Sequence, residues 1–168
     1  MNPLPELTLP QMLRQRARSD AQRVAIRQKD FGIWQPCTWA EYHRRASHFG
    51  LGLRQLGLPE GGHVGVLSEN RIEWVLAQMG AGLVGAVTVG VYPTSPAAEV
   101  AYVVGHADVE IMVCEDQEQT DKLLEAWDNK DRWIATVDFN NHTLVNQHRL
   151  HDDAWINRHF NDMGWLPN

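Results

Sequence analysis

Residues 61–104, GGHVGVLSENRIEWVLAQMGAGLVGAVTVGVYPTSPAAEVAYVV, carry the strongest secondary-structure pattern in this chain. Residues 63–67 form a short apolar run, which predicts a strand. Asn70 and Glu73 follow at the spacing of a capping box, in which two side chains bind the backbone N–H groups of a first helical turn. We therefore expect a helix that begins at Arg71.

The predicted helix has one apolar face, and the chain then returns to strand-like composition. The apolar residues recur at intervals of three and four: Ile72, Val75, Leu76, Met79 and Leu83. Glycines end the helix, and residues 86–91 are rich in β-branched valine and apolar except at Thr88. Such a run is typical of a strand that is buried on both faces in a parallel sheet. The pattern therefore predicts a βαβ unit.

A turn and another helix are expected after the second strand. Ser95 is a natural helix N-cap, and Pro96 suits the first helical position, where its missing N–H costs nothing. The helix should continue through Val104. The predicted fold class is α/β, with a mainly parallel sheet, flanking helices and right-handed connections between parallel strands.

The segments on either side complete the predicted elements. Thr8 and Gln11 form a capping box that opens a helix ending near Arg18, and Thr38 opens the longest helix, which ends before Gly57. The remaining predicted elements are an antiparallel hairpin of residues 23–27 and 33–37, strands at 109–113 and 133–138, and a polar helix at 116–126.

Composition limits the classes of function. The 168 residues are 43% hydrophobic and 21% charged, as in an ordinary globular domain, and the formal net charge is -6. Nucleic-acid binding is not expected, because the basic residues are scattered. The exceptions are interpreted as solvated helix faces: Arg14, Arg16, Arg18, Arg44 and Arg45.

The cysteines and the N-terminal residues indicate a compartment. Cys37 and Cys114 are interpreted as core thiols, since two cysteines without a CxxC motif indicate neither a disulfide framework nor a zinc site. Residues 1–6 have no feature of a secretory signal. The interval between Glu73 and Glu99 has no charge, but its glycines and prolines favour a buried βα unit over a transmembrane helix. A cytoplasmic protein is predicted, with peripheral membrane association left open.

Three motifs that resemble functional sites have simpler interpretations. The sequence GAGLVG at residues 80–85 matches GxGxxG, but it closes a helix, whereas a dinucleotide fingerprint opens one. Ser95 has no histidine at a useful local spacing and is better explained as a cap. The third motif consists of four residues of types that bind metal ions: His148, His151, Asp152 and His159. Nothing in the sequence fixes their geometry, so they are interpreted as part of a polar tail.

Several motifs, in order, resemble the beginning of a long-chain fatty acyl-CoA synthetase. They are residues 32–34 (GIW), 38–42 (TWAEY), 67–74 (LSENRIEW), 91–100 (VYPTSPAAEV), 115–119 (EDQEQ) and 121–125 (DKLLE). The resemblance covers residues 7–126 and implies a partial N-terminal subdomain of the adenylate-forming ligase fold. Members of that family join a fatty acid to coenzyme A with Mg-ATP, through an acyl-adenylate.

The resemblance also implies which parts are missing. The family's phosphate loop ending in Pro-Lys-Gly, its ribose-binding acidic residue and its C-terminal lysine all follow the region that this chain resembles. No such loop occurs in the sequence. We therefore assign no catalytic, cofactor-binding or metal-binding residue, and expect ATP, Mg and coenzyme A to be used only by a full-length ligase.

Two functional hypotheses follow. In the first, residues 1–126 are the N-terminal portion of a ligase domain, which is inactive alone and whose partner is the remainder of that domain. In the second, the chain is a noncatalytic α/β interaction module that binds a separate catalytic chain. Residues 127–168, rich in Asn, His and Trp, are interpreted as a divergent tail, which either a change of reading frame near Trp127 or a truncation of a longer protein would produce.

Overall fold

The computed structural model describes residues 7–126, 133–138 and 143–149, which belong to two compact units. Unit 1 consists of Met1–Gly62 and Asn70–Thr88, and unit 2 consists of His63–Glu69 and Val89–Asn168. Both are built from helices and strands, and the predicted α/β class is confirmed.

Unit 1 contains three helices and a hairpin. Its elements are α1 (Leu9–Ser19), β1 (Val24–Asp30), β2 (Ile33–Thr38), α2 (Trp39–Gln55) and α3 (Ile72–Leu83). The predicted caps of α1 and α2 are confirmed, because the side chains of Thr8 and Thr38 accept hydrogen bonds from the N–H groups of Gln11 and Glu41. β1 and β2 pair antiparallel, as the turn at residues 30–32 predicts.

Helices α2 and α3 pack extensively against each other in unit 1. Four buried side chains of α2 recur at intervals of three and four along the helix: Tyr42, Ala46, Phe49 and Leu53. The buried residues of α3 are instead its small ones beside Leu76: Ala77, Gly80 and Ala81. A Cβ atom on Gly50 would lie 2.4 Å from the Gly80 carbonyl oxygen, so glycine is what allows the two backbones to approach.

The predicted start of α3 is wrong by one residue, and so is its cap. Arg71 holds the N-cap position without a side-chain hydrogen bond, so Asn70 and Glu73 form no capping box. Instead, the Ile72 N–H donates to Gln28 Oε1 at 2.7 Å. A side chain from β1 has replaced the local cap.

The described part of unit 2 is a sheet with two helices. Its strands are β3 (His63–Leu67), β4 (Val87–Val91, which begins in unit 1), β5 (Val109–Cys114), β6 (Trp133–Asp138) and β7 (Thr143–Arg149), and its helices are α4 (Ala97–His106) and α5 (Gln117–Ala126). The strand order is β4-β3-β5-β6-β7. β3, β5 and β6 run parallel, whereas β7 is antiparallel to β6 and was not predicted.

The core of unit 2 lies between this sheet and its helices. Its buried members are Leu67, Val91, Val100, Val104, Val109, Met112, Cys114 and Leu123. The prediction that β4 is buried on both faces is wrong, because only Val91 is buried and Val87 is 48% exposed. β4 is the end strand of the described sheet and has β3 as its one neighbour there.

The turn before α4 also differs from the prediction. α4 begins at Ala97, and Pro96 holds the N-cap position without a side-chain hydrogen bond. Ser95 belongs to the preceding turn, where its N–H donates to the Tyr92 carbonyl oxygen at 3.0 Å. Within the described residues, no helix is both long and apolar enough to cross a bilayer.

Candidate functional site

The carboxyl ends of β3 and β5 lie side by side in unit 2. Their parallel register pairs Leu67 with Cys114, so the residues that follow each strand emerge at the same edge of the sheet. In open α/β sheets this edge is where ligands bind. Polar residues follow both strands: Ser68 and Glu69 after β3, and Glu115 after β5.

The Glu115 carboxylate joins the two loops. Its Oε2 atom accepts hydrogen bonds from Ser68 Oγ at 3.1 Å and from the Glu69 backbone N–H at 2.8 Å. The Glu115 N–H in turn donates to the Leu67 carbonyl oxygen at 3.1 Å. Ser68 is buried, with 9% of its surface exposed, so this arrangement fixes the loop after β3. We call Ser68, Glu69 and Glu115 the carboxylate clamp.

The start of α5 extends the clamp toward the turn at residues 92–95. Asp116 Oδ1 accepts the Gln119 N–H at 3.0 Å, which caps the helix. Lys122 Nζ donates to the Pro93 carbonyl oxygen and, at 3.0 Å, to Gln119 Oε1. The lysine therefore holds the turn after β4 against α5, and its bonds are to neutral oxygens.

The exposed carboxylates give this edge of the sheet a negative charge. A phosphate requires backbone N–H donors or cations that point at it, as at an open helix N-terminus. Here the Glu69 N–H is occupied by the Glu115 carboxylate, and Asp116 and Glu69 add exposed negative charge. The clamp can hold a loop in place, and no reaction step is assigned to it.

The predicted interpretation of the glycine motif agrees with the structure, whereas the predicted role of Ser95 as a helix cap does not, because Pro96 holds that position. Gly80 and Gly82 lie inside α3, and Gly85 follows the helix with a φ of 77°. A Cβ atom on Gly82 would lie 2.7 Å from Pro10 Cγ, so close packing within unit 1 explains that glycine. The GxGxxG match is therefore a helix end, and Ser95 is a turn residue.

Both cysteines are buried free thiols, which confirms their interpretation as core residues. Burial raises the pKa of the Cys114 thiol to about 12 and also raises the pKa of Cys37 above its usual value. Because the thiolate is the nucleophile, neither residue is suited to covalent catalysis at neutral pH.

The predicted histidine group cannot be compared with the structure. The side chain of His148 and the positions of His151, Asp152 and His159 lie outside the described residues. Elsewhere in the described ranges, no cluster of three or more His, Cys, Asp or Glu side chains could hold a metal ion.

The carboxylate clamp was missed by sequence reasoning, although a signal was available. Two predicted strands in a parallel sheet each end in polar residues, SE at 68–69 and ED at 115–116. Parallel strands place those residues at one edge. Their hydrogen bonding could have been expected from that alone.

The α/β topology and the order of the sequence motifs agree with one family. The AMP-binding enzyme profile matches residues 13–160, which is most of the chain. The chain belongs to the AMP-binding enzyme family. The match includes β6, β7 and residues beyond them.

Relatives of this chain include proteins that are named as fatty acid ligases. It is 30% identical over 118 residues to the long-chain-fatty-acid–CoA ligase ACSBG2 of Mus musculus, across 70% of this chain and 18% of the mouse protein. It is 36% identical over 98 residues to Rv1549 of Mycobacterium tuberculosis, an uncharacterized protein, across 58% of this chain and 55% of that protein. The chain thus spans about a fifth of the length of these curated ligase relatives.

A solved structure supports the same assignment. A Rhodopseudomonas palustris protein, titled as a long-chain-fatty-acid CoA ligase, superposes with a TM-score of 0.63 and 26% identity. The superposition covers 71% of this chain and 29% of that protein. The resemblance to long-chain acyl-CoA synthetases is therefore confirmed as membership of the adenylate-forming ligase fold.

Proposed function

We propose that this chain is the N-terminal portion of an ATP-dependent long-chain fatty acid–CoA ligase and has no ligase activity alone. The observation that carries the proposal is its match to 18% of the mouse ACSBG2 protein, in a region where it aligns over 118 residues. The sequence contains no Pro-Lys-Gly, and the clamp edge presents carboxylates where ATP would need donors.

In the proposed arrangement, this chain supplies a scaffold and the remainder of the ligase supplies the chemistry. The complete enzyme would convert a fatty acid, ATP and coenzyme A to acyl-CoA, AMP and pyrophosphate, with Mg bound at the phosphates. The clamp would hold the loop between β3 and α3 in one conformation. The proposed setting is the cytoplasm, since two unpaired thiols fit a reducing compartment.

The alternative is a noncatalytic interaction module that binds a separate catalytic chain. The mycobacterial relative favours it, because 98 aligned residues make up 55% of that protein, which is therefore far shorter than the mouse ligase. If this region functions as a free-standing module, short proteins that consist largely of the region are expected, and the mycobacterial protein is one such protein.

The first experiment is an activity assay on the full 168-residue chain. With palmitate, Mg-ATP and coenzyme A, we expect no AMP formation above that of a blank. Coenzyme A-dependent AMP formation would overturn the proposal of an inactive portion.

A second measurement separates the two hypotheses. An incomplete ligase domain leaves apolar surface uncovered, so it should aggregate on a sizing column and bind a hydrophobic dye. A self-contained module should elute as one species and unfold in one cooperative transition. Monodisperse elution with a cooperative melt would therefore favour the alternative.

A further inference from the structure

The tip of the β1–β2 hairpin carries an aromatic residue, Phe31, at a position where aromatic residues are rare. The register pairs Asp30 with Ile33, which leaves Phe31 and Gly32 as a two-residue turn. Their φ angles are 44° and 83°, the left-handed values of a type I′ turn. Phe31 is 100% exposed. Asn, Asp or Gly normally occupy this position, and a bulky residue there is an outlier.

Because its side chain is fully exposed, Phe31 buries no apolar surface that could stabilise the fold. Its backbone is in a conformation that a large side chain disfavours, and its ring has no buried surface to offset that cost. A strained residue of this kind motivates a hypothesis of function. A functional role for the exposed ring would require apolar surroundings outside this chain that the ring could enter.

The strand residues beside Phe31 place cations and an aromatic ring on one face. Opposite residues of an antiparallel pair share a face, and the register pairs Lys29 with Trp34 and Arg27 with Pro36. Lys29 Nζ lies 6.0 Å from the Trp34 ring centroid, and Trp34 is 61% exposed. All four residues of this face are exposed.

The other face of the hairpin is directed toward the rest of unit 1. Cys37 is buried on it, and Gln28 uses it to cap α3. Asp30, the one carboxylate in the hairpin sequence, alternates onto that face with Gln28. The face with Arg27 and Lys29 is therefore cationic. We call Arg27, Lys29, Phe31 and Trp34 the hairpin tip.

The charge of unit 1 as a whole has the same sign. Its sequence has ten Lys and Arg against six Asp and Glu, a formal net charge of +4. Unit 2 has five against fifteen, a formal net charge of -10. The whole-chain value of -6 therefore conceals a basic unit, and an anionic partner is the electrostatic complement of the hairpin tip.

We propose that the hairpin tip binds the surface of an anionic lipid bilayer. Phe31 and Trp34 would enter the boundary between headgroups and acyl chains, where aromatic rings are favoured, and Arg27 and Lys29 would meet the lipid phosphates. A stable protein interface needs about 20 residues a side, whereas the tip presents four side chains on a projecting turn. A deformable lipid surface can accept so small a convex anchor.

The test is co-sedimentation of the full chain with vesicles of phosphatidylcholine, alone or mixed with phosphatidylserine. We expect binding to the mixed vesicles, weakened by added salt. Phe31→Asn should lower the partition coefficient by about tenfold, because it removes the most exposed aromatic ring. Asn suits a type I′ turn, so this variant should keep the fold. Lys29→Glu should also reduce binding.

A matched control is Leu51→Gln on α2, which removes another exposed apolar side chain of unit 1, 64% exposed in the native chain. Its binding should equal that of the native chain. The proposal is overturned if the native chain does not bind mixed vesicles, or if Phe31→Asn and Leu51→Gln bind equally well. It is also overturned if Phe31→Asn abolishes only the association with a protein partner.

Discussion

Gln28 Oε1 accepts a hydrogen bond from the backbone N–H of Ile72 at 2.7 Å, across 44 positions of sequence. A strand side chain thereby satisfies one of the four N–H groups that every helix leaves unpaired at its start. Replacing Gln28 with Ala should lower the free energy of unfolding by about 1 kcal/mol, the usual cost of losing a cap. Urea unfolding followed by circular dichroism would measure it.

The matched control is Gln35→Ala. Gln35 lies opposite Gln28 in the hairpin register and is exposed. Its replacement should change the free energy of unfolding by less than about 0.5 kcal/mol. Equal losses in the two variants would mean that the hairpin, and not the cap, determines the effect.

Glu115→Ala should release the loop after β3. The variant leaves the Glu69 N–H and the Ser68 hydroxyl without their carboxylate acceptor. We expect a loss of about 2 kcal/mol in the free energy of unfolding, since bonds to a charged group are the stronger kind. The Glu69 amide should also exchange its hydrogen faster. The proposed role of the clamp would be contradicted if the Glu69 amide hydrogen exchanged at the native rate in Glu115→Ala. It would also be contradicted if Glu125→Ala, at an exposed position, lowered the free energy of unfolding equally.

Gly50→Ala should destabilise the contact between α2 and α3. The added methyl group would meet the Gly80 carbonyl oxygen at 2.4 Å and Val84 Cγ1 at 2.9 Å, so the helices must separate. Overpacking of this kind costs about 1–3 kcal/mol. Thermal unfolding would show a lower midpoint for Gly50→Ala.

Gly52 provides the control on the same helix. A Cβ atom there meets nothing within 4 Å, so alanine can only improve helix propensity. Gly52→Ala should therefore raise the free energy of unfolding by up to about 1 kcal/mol. If Gly50→Ala and Gly52→Ala lower the free energy of unfolding by similar amounts, then α2 tolerates alanine at neither position, irrespective of the space around the glycine.

Stability should fall in alkali because Tyr42 is buried. Burial raises the pKa of Tyr42 from 10.0 to about 12, so the folded chain keeps a proton that the unfolded chain releases. This contribution is fully present below pH 10 and is lost as the pH rises toward 12. Cys114 adds a loss of the same sign from pH 9 upward.

Urea midpoints measured between pH 8 and pH 11 would test this dependence. Tyr42→Phe should make the decline shallower, because the titrating hydroxyl is gone. Tyr102→Phe should leave the decline unchanged, since Tyr102 is 66% exposed. If the two phenylalanine variants decline in parallel with the native chain, Tyr42 is not the source.

Phe31→Asn should stabilise the chain while it weakens membrane binding. A non-glycine residue in the left-handed region costs about 1–2 kcal/mol, and Asn reduces that cost. We expect a gain of about 1 kcal/mol in the free energy of unfolding, measured by urea titration. A less stable Phe31→Asn variant would mean that the aromatic ring supports the fold.

Patterns confined to a few neighbouring residues predicted the structure well. Thr8 and Thr38 cap their helices as expected, and the apolar spacing from Tyr42 to Leu53 identifies the buried face of α2. The limits of β3 are those of its apolar run, His63–Leu67. In each of these cases the deciding interaction lies within one helix or one strand.

Errors arose where a distant segment supplies the deciding contact. Asn70 does not cap α3 because Gln28 reaches its first turn from β1. The apolar residues of β4 predicted burial, but the end position of the strand in the described sheet leaves Val87 exposed. The clamp depends on which strands are neighbours. Local composition contains none of this information.

The two units are interleaved along the chain, and this has a consequence for synthesis on the ribosome. Unit 1 requires Asn70–Thr88 in addition to Met1–Gly62, so its apolar α2 face emerges before α3 exists to cover it. β3 is likewise translated long before its parallel partner β5. Unit 1 is complete only when Thr88 has left the exit tunnel, and the nascent chain must remain unaggregated until then.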